Sequence, residues 1–203
     1  MVNLNKNIAF VIGIMCFVLG TYSCGFIPIY KYKDLTCYNK QFVSGQIRTD
    51  GYYSTNYNDT LCLDVMCFYE DGFYLCIMND YTDDTTMTNY LRKNSKVKTK
   101  WQTKKGWGVY HIENDTLTMQ EFSSGRPPKI YALTFEHFSV IQLKGAIINS
   151  EMFTTSDYSF RGKSEKINDT YQFHPCVDCK PDATNWNWLR TNKKLNKLYP
   201  KKE

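Results

Sequence analysis

TLCLDVMCFYEDGFYLCIM, residues 60–78, predicts a β-hairpin and with it an antiparallel sheet. Two runs rich in apolar and aromatic residues flank Asp71-Gly72. An Asp-Gly pair suits a two-residue type I′ loop, because both central residues of that turn need positive φ. With Asp71 and Gly72 as the loop, Cys67 faces Cys76 across the hairpin, at a separation within reach of a disulfide.

A second hairpin is predicted in residues 107–122, WGVYHIENDTLTMQEF, where Asn114-Asp115 tolerates the left-handed turn conformation. The pattern predicts further short strands at residues 52–57, 129–135, 138–143, 145–148, 152–155, 158–161 and 170–174. Residues 85–94 alone predict a helix, and it is short. Many short strands with little helix indicate an all-β domain, a sandwich or a barrel.

The N-terminus has the pattern of an export signal. Residues 8–20, IAFVIGIMCFVLG, form an apolar run after Lys6, shorter than the roughly 20 residues that span a bilayer. Residues 19–24, LGTYSC, resemble the lipobox of bacterial lipoproteins, in which the Cys becomes the acylated N-terminus. The resemblance implies a signal peptide over residues 1–23 and a lipid anchor on Cys24. Ordinary signal cleavage and an uncleaved anchor are the alternatives.

The remaining chain divides by composition. We expect a tether at residues 24–44, one β-barrel domain at residues 45–189 and a basic, disordered tail at residues 190–203. The net charge of +5 owes much to this tail, which lacks an apolar periodicity. A solvated end is therefore favoured over a nucleic-acid surface.

Four segments resemble lipocalin-like lipoproteins of Gram-negative bacteria. In chain order they are YEDGFYL at residues 69–75, WGVYHIENDTLTMQEF at 107–122, KGAIINSEMF at 144–153 and KPDATNW at 180–186. The resemblance implies a single antiparallel up-and-down barrel of the calycin kind and brings no biochemical activity with it. It also implies a place in the cell envelope, at the outer membrane.

The cysteines of an exported domain meet an oxidising compartment. Cys67 and Cys76 are one disulfide candidate, and buried free thiols are the alternative. Cys176 and Cys179 are the second candidate, as a structural bridge or an exposed thiol pair. A redox-active pair, or a zinc site shared with His174, is disfavoured by the absence of the usual surrounding motifs.

The sequence carries no catalytic constellation. The three histidines are scattered on predicted strands, no Gly-x-Ser-x-Gly motif is present, and Asp83-Asp84 indicates a solvated loop. We therefore expect neither an enzyme nor a cofactor or metal site.

Two functions are compatible with such a barrel. The first is binding of a small apolar ligand, with the interior lined by alternate strand residues. The lining candidates are Tyr74, Trp107, Val109, Tyr131, Leu133 and Phe135. The second is a non-catalytic structural or protein-interaction lipoprotein whose barrel is filled by its own side chains.

Overall fold

The computed structural model describes residues 28–38, 45–56, 63–79, 84–94, 106–124, 136–180 and 187–199. The strands in these ranges are β1 (Pro28–Tyr30), β2 (Gly51–Asn56), β3 (Leu63–Phe68), β4 (Phe73–Asn79), β5 (Trp107–Glu113), β6 (Thr116–Ser124), β7 (Glu136–Asn149), β8 (Met152–Phe160) and β9 (Lys163–Pro175). The helices are α1 (Asp84–Asn94) and α2 (Lys193–Leu198), and a 3-10 helix covers Tyr32–Asp34.

Strands β2 to β9 form a closed antiparallel barrel of eight strands. Each strand pairs with the next one along the chain, and β9 pairs back with β2. Closure leaves none of these strands at a sheet edge, so their backbone groups pair all the way round. The predicted all-β, up-and-down barrel is thereby confirmed. The signal segment that we expected before it lies outside the described residues.

The chain separates into two compact units. Within the described residues, the smaller unit contains β1 and the first three residues of β7, which pair in parallel, with Tyr30 stacked on Phe138 at 4.5 Å between ring centroids. The larger unit contains residues 31–123 and 139–203, and with them the body of the barrel.

The two ends of the barrel differ in their connections. Tight turns join β3 to β4, β5 to β6 and β7 to β8 at one end. At the other end, residues 57–62, 80–106 and 125–135 connect the strands, together with the turn Arg161-Gly162. An up-and-down order alternates the direction of the strands, so the strand ends that these connections join all lie opposite the tight turns.

The barrel interior accordingly has two parts. Near the tight turns it is filled by aromatic rings, and we call this part the aromatic half: Tyr53, Phe68, Tyr110, Phe153 and Phe173. Toward the long connections the same inward-facing positions are polar, and we call this part the polar half: Asp64, Glu121, Thr155 and Asp169. Tyr74 and Cys76 lie between the two halves.

The first hairpin forms as predicted but with a longer loop. The backbone N–H of Tyr69 donates to the carbonyl of Phe73 at 2.9 Å, and Gly72 has φ +82°. The loop is therefore Glu70-Asp71-Gly72, a three-residue turn that ends on a glycine in the left-handed region. The extra loop residue shifts the pairing by one position, so that Cys67 faces Leu75 and Met66 faces Cys76.

The second hairpin has the predicted two-residue loop. Asn114 and Asp115 have φ of 49° and 60°, and Glu113 pairs with Thr116. Both residues sit in the left-handed region, which is the requirement of a type I′ turn. Helix α1 also lies where residues 85–94 predicted it.

Pairs of short strands predicted in the second half of the chain are single long strands. β7 continues through a register shift at Lys144/Gly145, and β8 continues through another between Thr155 and Asp157. A bulge reverses which side chains point inward, so the apolar alternation is interrupted although the strand is not. β9 starts seven residues before the predicted position, with a polar first half that is exposed.

The C-terminal segment was expected to be a disordered tail, yet part of it is ordered. The side chain of Asn192 caps α2 by accepting from the backbone N–H groups of Lys194 and Leu195, at 3.0 and 3.2 Å, and Leu195 is fully buried. Tyr199 donates to the carbonyl of Lys33 at 2.9 Å, which ties this segment to the expected tether. Leu35 and Cys37 of the tether are buried as well. In the described part of the chain, none of the helices combines the length and apolar character needed to cross a bilayer.

Candidate functional site

The predicted lining residues do not share one face. Tyr74 points into the barrel and joins its core. Trp107 pairs with Leu75, whereas Tyr74 pairs with Gly108, so Trp107 and Val109 lie on the outer face. There Trp107 packs against Tyr69, with 5.4 Å between ring centroids. The prediction of these two residues as interior lining is therefore wrong, while Tyr131, Leu133 and Phe135 lie outside the described residues.

Sequence reasoning erred on Trp107 because the outer face is buried too. Trp107 and Val109 are 2% and 1% exposed, although they face away from the barrel interior. The segments before β2 and after β9 provide cover nearby. Tyr38 packs edge-on against Phe73 and donates to the carbonyl of Leu189 at 3.0 Å. With both faces buried, aromatic content cannot tell inside from outside.

One row of paired residues crosses three neighbouring strands: Tyr74 on β4, Gly108 on β5 and Glu121 on β6. Tyr74 pairs with Gly108, and Gly108 pairs with Glu121. A Cβ atom on Gly108 would overlap the ring of Tyr74, so the ring lies over the glycine and extends toward β6. This brings the phenol of Tyr74 next to the carboxylate of Glu121.

A second set of polar side chains lies across the interior. Asp64 on β3 pairs with Thr55 on β2, and Thr155 on β8 pairs with Asp169 on β9. Asp64 raises the pKa of Glu121, and Asp169 raises that of Asp64, so the three carboxylates act on one another. The polar half therefore gathers carboxylates from three strands of one closed barrel.

Burial controls the protonation of these groups. Loss of solvation, followed by repulsion from Asp64, raises the pKa of Glu121 to about 7, and the nearby phenol of Tyr74 offsets a part of this. Burial likewise raises the pKa of Asp64, with a smaller contribution from Asp169. The pKa values of Tyr74 and Cys76 lie well above their usual ranges, first by burial and then by the charge of Glu121. Near neutral pH, Glu121 is thus poised between its two forms, while Tyr74 and Cys76 stay neutral.

Three polar atoms in the interior lack a hydrogen bond. They are the hydroxyl of Tyr74, the hydroxyl of Thr155 and the Oε2 atom of Glu121; all three are buried and have no partner within the described residues. The phenol of Tyr74 lies close enough to the carboxylate of Glu121 to stabilise its charge, although the two side chains fall short of full hydrogen-bond geometry. Leaving such a group unsatisfied costs about 1–3 kcal/mol, so each is a site where a ligand could gain free energy.

Sequence reasoning missed these polar side chains, although a signal for them exists. Glu121 continues the alternation of Leu117 and Met119, and Asp64 continues that of Met66 and Phe68. An acidic residue at an inward position of a strand contradicts the rule that buried charges are paired. Such an exception marks a candidate site.

The structure decides both cysteine predictions. Cys176 and Cys179 form a disulfide with their Cα atoms 5.6 Å apart, which confirms this bridge. It also removes the zinc interpretation, since both sulfurs are bonded and His174 stacks on Tyr52 at 5.0 Å. In contrast, the predicted Cys67–Cys76 bridge is wrong. The one-residue shift puts Cys76 in the interior and Cys67 on the outer face, both as thiols.

Among the described residues, no group of three His, Cys, Asp or Glu side chains is arranged to hold a metal ion. Comparison with known proteins adds no assignment. No protein-family model matches the chain, and neither a curated protein nor a solved structure matches it.

Proposed function

We propose that this protein binds a small organic ligand in the polar half of its barrel. The observation that carries the proposal is the set of buried, unpartnered atoms on Tyr74, Thr155 and Glu121, inside a closed barrel and toward its long connections. A ligand that supplies hydrogen-bond partners would recover free energy that the unliganded barrel forgoes. The barrel is thus a binding module rather than an enzyme.

The aromatic half limits how deep the ligand reaches. Phe68, Tyr110 and Phe153 contact one another there, with 4.9 and 5.7 Å from Phe68 to the other two ring centroids. Rings packed at these distances leave no room for a ligand body. The ligand's apolar part would therefore lie above them, against Tyr171, which belongs to the core, and Leu143, which packs against that core.

We propose further that the barrel is displayed outside the cytoplasm on a lipid attached to Cys24. Support comes from the apolar run and lipobox-like sequence of residues 8–24, which lie outside the described residues. The Cys176–Cys179 bridge agrees with an oxidising compartment. Cells fed labelled palmitate should label the protein, and Cys24→Ala should abolish the label. A full-length, unlabelled protein in the soluble fraction would exclude the anchor.

The aromatic half favours one alternative, a structural or protein-interaction lipoprotein with a self-filled barrel. Native mass spectrometry of protein purified from its own cells separates the two functions. We expect a bound small molecule on the unaltered protein and none on Thr155→Phe, which fills the polar half. Thr154→Phe is the matched control, since this neighbouring side chain points to the other face and should leave the ligand bound. The same unliganded mass for all three proteins would support the self-filled barrel instead.

A further inference from the structure

We propose that the ligand of the polar half is an organic ammonium ion, a protonated amine on an apolar body, bound through Glu121 and the hydroxyls of Tyr74 and Thr155. This inference rests on the binding function proposed above. It adds the charge and the class of the ligand.

The first argument is the sign of the charge in the polar half. Among the residues that the structure describes, the charged groups that act on Asp64 and Glu121 are other carboxylates, namely Asp169 on Asp64 and Asp64 on Glu121. These carboxylates repel one another in a poorly solvated interior. A bound cation would relieve the repulsion, whereas an anion would add to it.

The second argument is the hydrogen-bonding character of the unpartnered atoms. Tyr74 and Thr155 are each 1% exposed, so their hydroxyls are shielded from solvent, and Glu121 Oε2 is buried in the same barrel interior. A carboxylate accepts hydrogen bonds and each hydroxyl has lone pairs to accept another. A primary ammonium group has three N–H donors and no acceptor, so it complements this set.

The third argument is the aromatic surroundings. Tyr74 and Tyr158 both lie close enough to Glu121 for its charge to raise their pKa values, and Tyr171 acts on Tyr74 in the same way. Aromatic faces attract organic cations, by about 0.5–2 kcal/mol each. A metal ion would instead need several oxygen ligands at short range, and the described residues contain no such group.

Binding should depend on pH through the carboxyls. Within the described part of the chain, the titratable groups that face Glu121 are Tyr74 and Cys76 from β4, Asp64 from β3 and Tyr158 from β8. The raised pKa values of the tyrosines and the thiol keep these groups neutral, so Glu121 and Asp64 carry the change. Since an ammonium ion pairs with ionised Glu121, its affinity should fall as the pH drops below about 7.

Three probes with one body and different head groups test the inference: 2-phenylethylamine, 2-phenylethanol and 3-phenylpropanoate. We expect calorimetry on the purified full-length protein at pH 8 to show the amine binding at least tenfold more tightly than the alcohol, the ratio given by about 1.4 kcal/mol. The carboxylate should bind most weakly. Lowering the pH to 5.5 should weaken the amine alone.

Glu121→Gln should lower the amine's affinity about tenfold and leave the alcohol unchanged. This variant should fold, because it removes a buried acid, and its thermal midpoint checks that it does. Glu113→Gln is the matched control, at an exposed position at the opposite end of the barrel. If the alcohol or the carboxylate binds as tightly as the amine, the proposal of a cationic ligand is overturned, while the proposed binding function still holds. Absence of binding by all three probes would overturn both.

Discussion

The aromatic half and the polar half are built on the same eight strands and obey different rules. In the aromatic half, a polar group finds its partner: the hydroxyl of Tyr53 donates to the carbonyl of Ser150 at 2.5 Å and accepts from the N–H of Arg48 at 2.9 Å. The hydroxyl of Thr155 in the polar half, and that of Tyr74 at its border, have no hydrogen-bond partner among the described residues. One end of the barrel is therefore optimised for stability and the other retains unsatisfied groups, which is the usual signature of a site.

The largest difference should appear between neighbouring inward positions of β8. Phe153 is fully buried among aromatic rings. Phe153→Ala should lower the protein's free energy of unfolding by about 3–5 kcal/mol, because the surrounding rings cannot close the cavity. Thr155→Val should be neutral or about 1 kcal/mol stabilising, because it removes an unpartnered hydroxyl. Urea unfolding of both variants measures this. Equal losses would mean that the two halves are packed alike.

The pH dependence of stability should come from the polar half. Because the pKa of Glu121 is about 7 in the fold and near 4.5 in the unfolded chain, the folded protein binds more protons between these values. Stability therefore decreases as the pH rises through this window, by about 3 kcal/mol. Asp64, with its raised pKa, acts in the same direction.

Urea unfolding at pH 5 and pH 8 tests this prediction. In Glu121→Gln, most of the decrease in unfolding free energy between the two pH values should be absent. Glu113→Gln, at the far end, should retain it. A variant Glu121→Gln with the pH profile of the unaltered protein would show that the carboxyl is solvated after all.

The turns at the two ends offer a smaller comparison. Asn114 at the aromatic end and Arg161 at the polar end both have positive φ, at 49° and 52°. Asn tolerates this conformation better than Arg or Ala does. Asn114→Ala should thus destabilise and Arg161→Asn should stabilise, each by about 1 kcal/mol. Thermal unfolding of the two variants, with changes of opposite sign, would support this. Changes of one sign would contradict it.

Alkylation of the cysteines tests the register between β3 and β4, and this test involves no change in stability. Alkylation of the denatured, unreduced protein should modify Cys67 and Cys76, and leave Cys176 and Cys179 linked. Peptide mapping reads the modified positions. A peptide containing Cys67 bonded to Cys76 would require the two-residue loop and a shifted hairpin.

Much of the architecture could be predicted from local chemistry. The turn at Asn114-Asp115 follows from two residues that accept positive φ, and the barrel follows from many short strands with little helix. The loop at Glu70-Asp71-Gly72 could not be resolved to one residue. Two-residue and three-residue turns both use a glycine there, and the choice between them belongs to the pairing of β3 with β4. Because of that one extra loop residue, Cys67 and Cys76 do not face each other, and the predicted bridge between them does not form.

The candidate site was less predictable than the fold. Tyr74 was predicted to line the interior and points inward, whereas Trp107 and Val109 were assigned to the wrong face. Helix α2 escaped prediction because it has six residues, and an apolar repeat of only Leu195 and Leu198 among lysines is too short to indicate a helix. The error on the face of Trp107 and Val109 arises because other segments of the chain pack over the outer face of the barrel.

By itself, the sequence determined that most of the domain is strand, approximately where two hairpins turn and that two cysteines three residues apart can bridge, because each of these depends on neighbours along the chain. The tertiary structure alone decided which face of each strand is the interior. Only ring closure brings Glu121, Asp64 and Asp169 from three strands into one interior, where the pKa values of Glu121 and Asp64 rise. Contacts between residues so distant in sequence are properties of the barrel, and no local pattern encodes them.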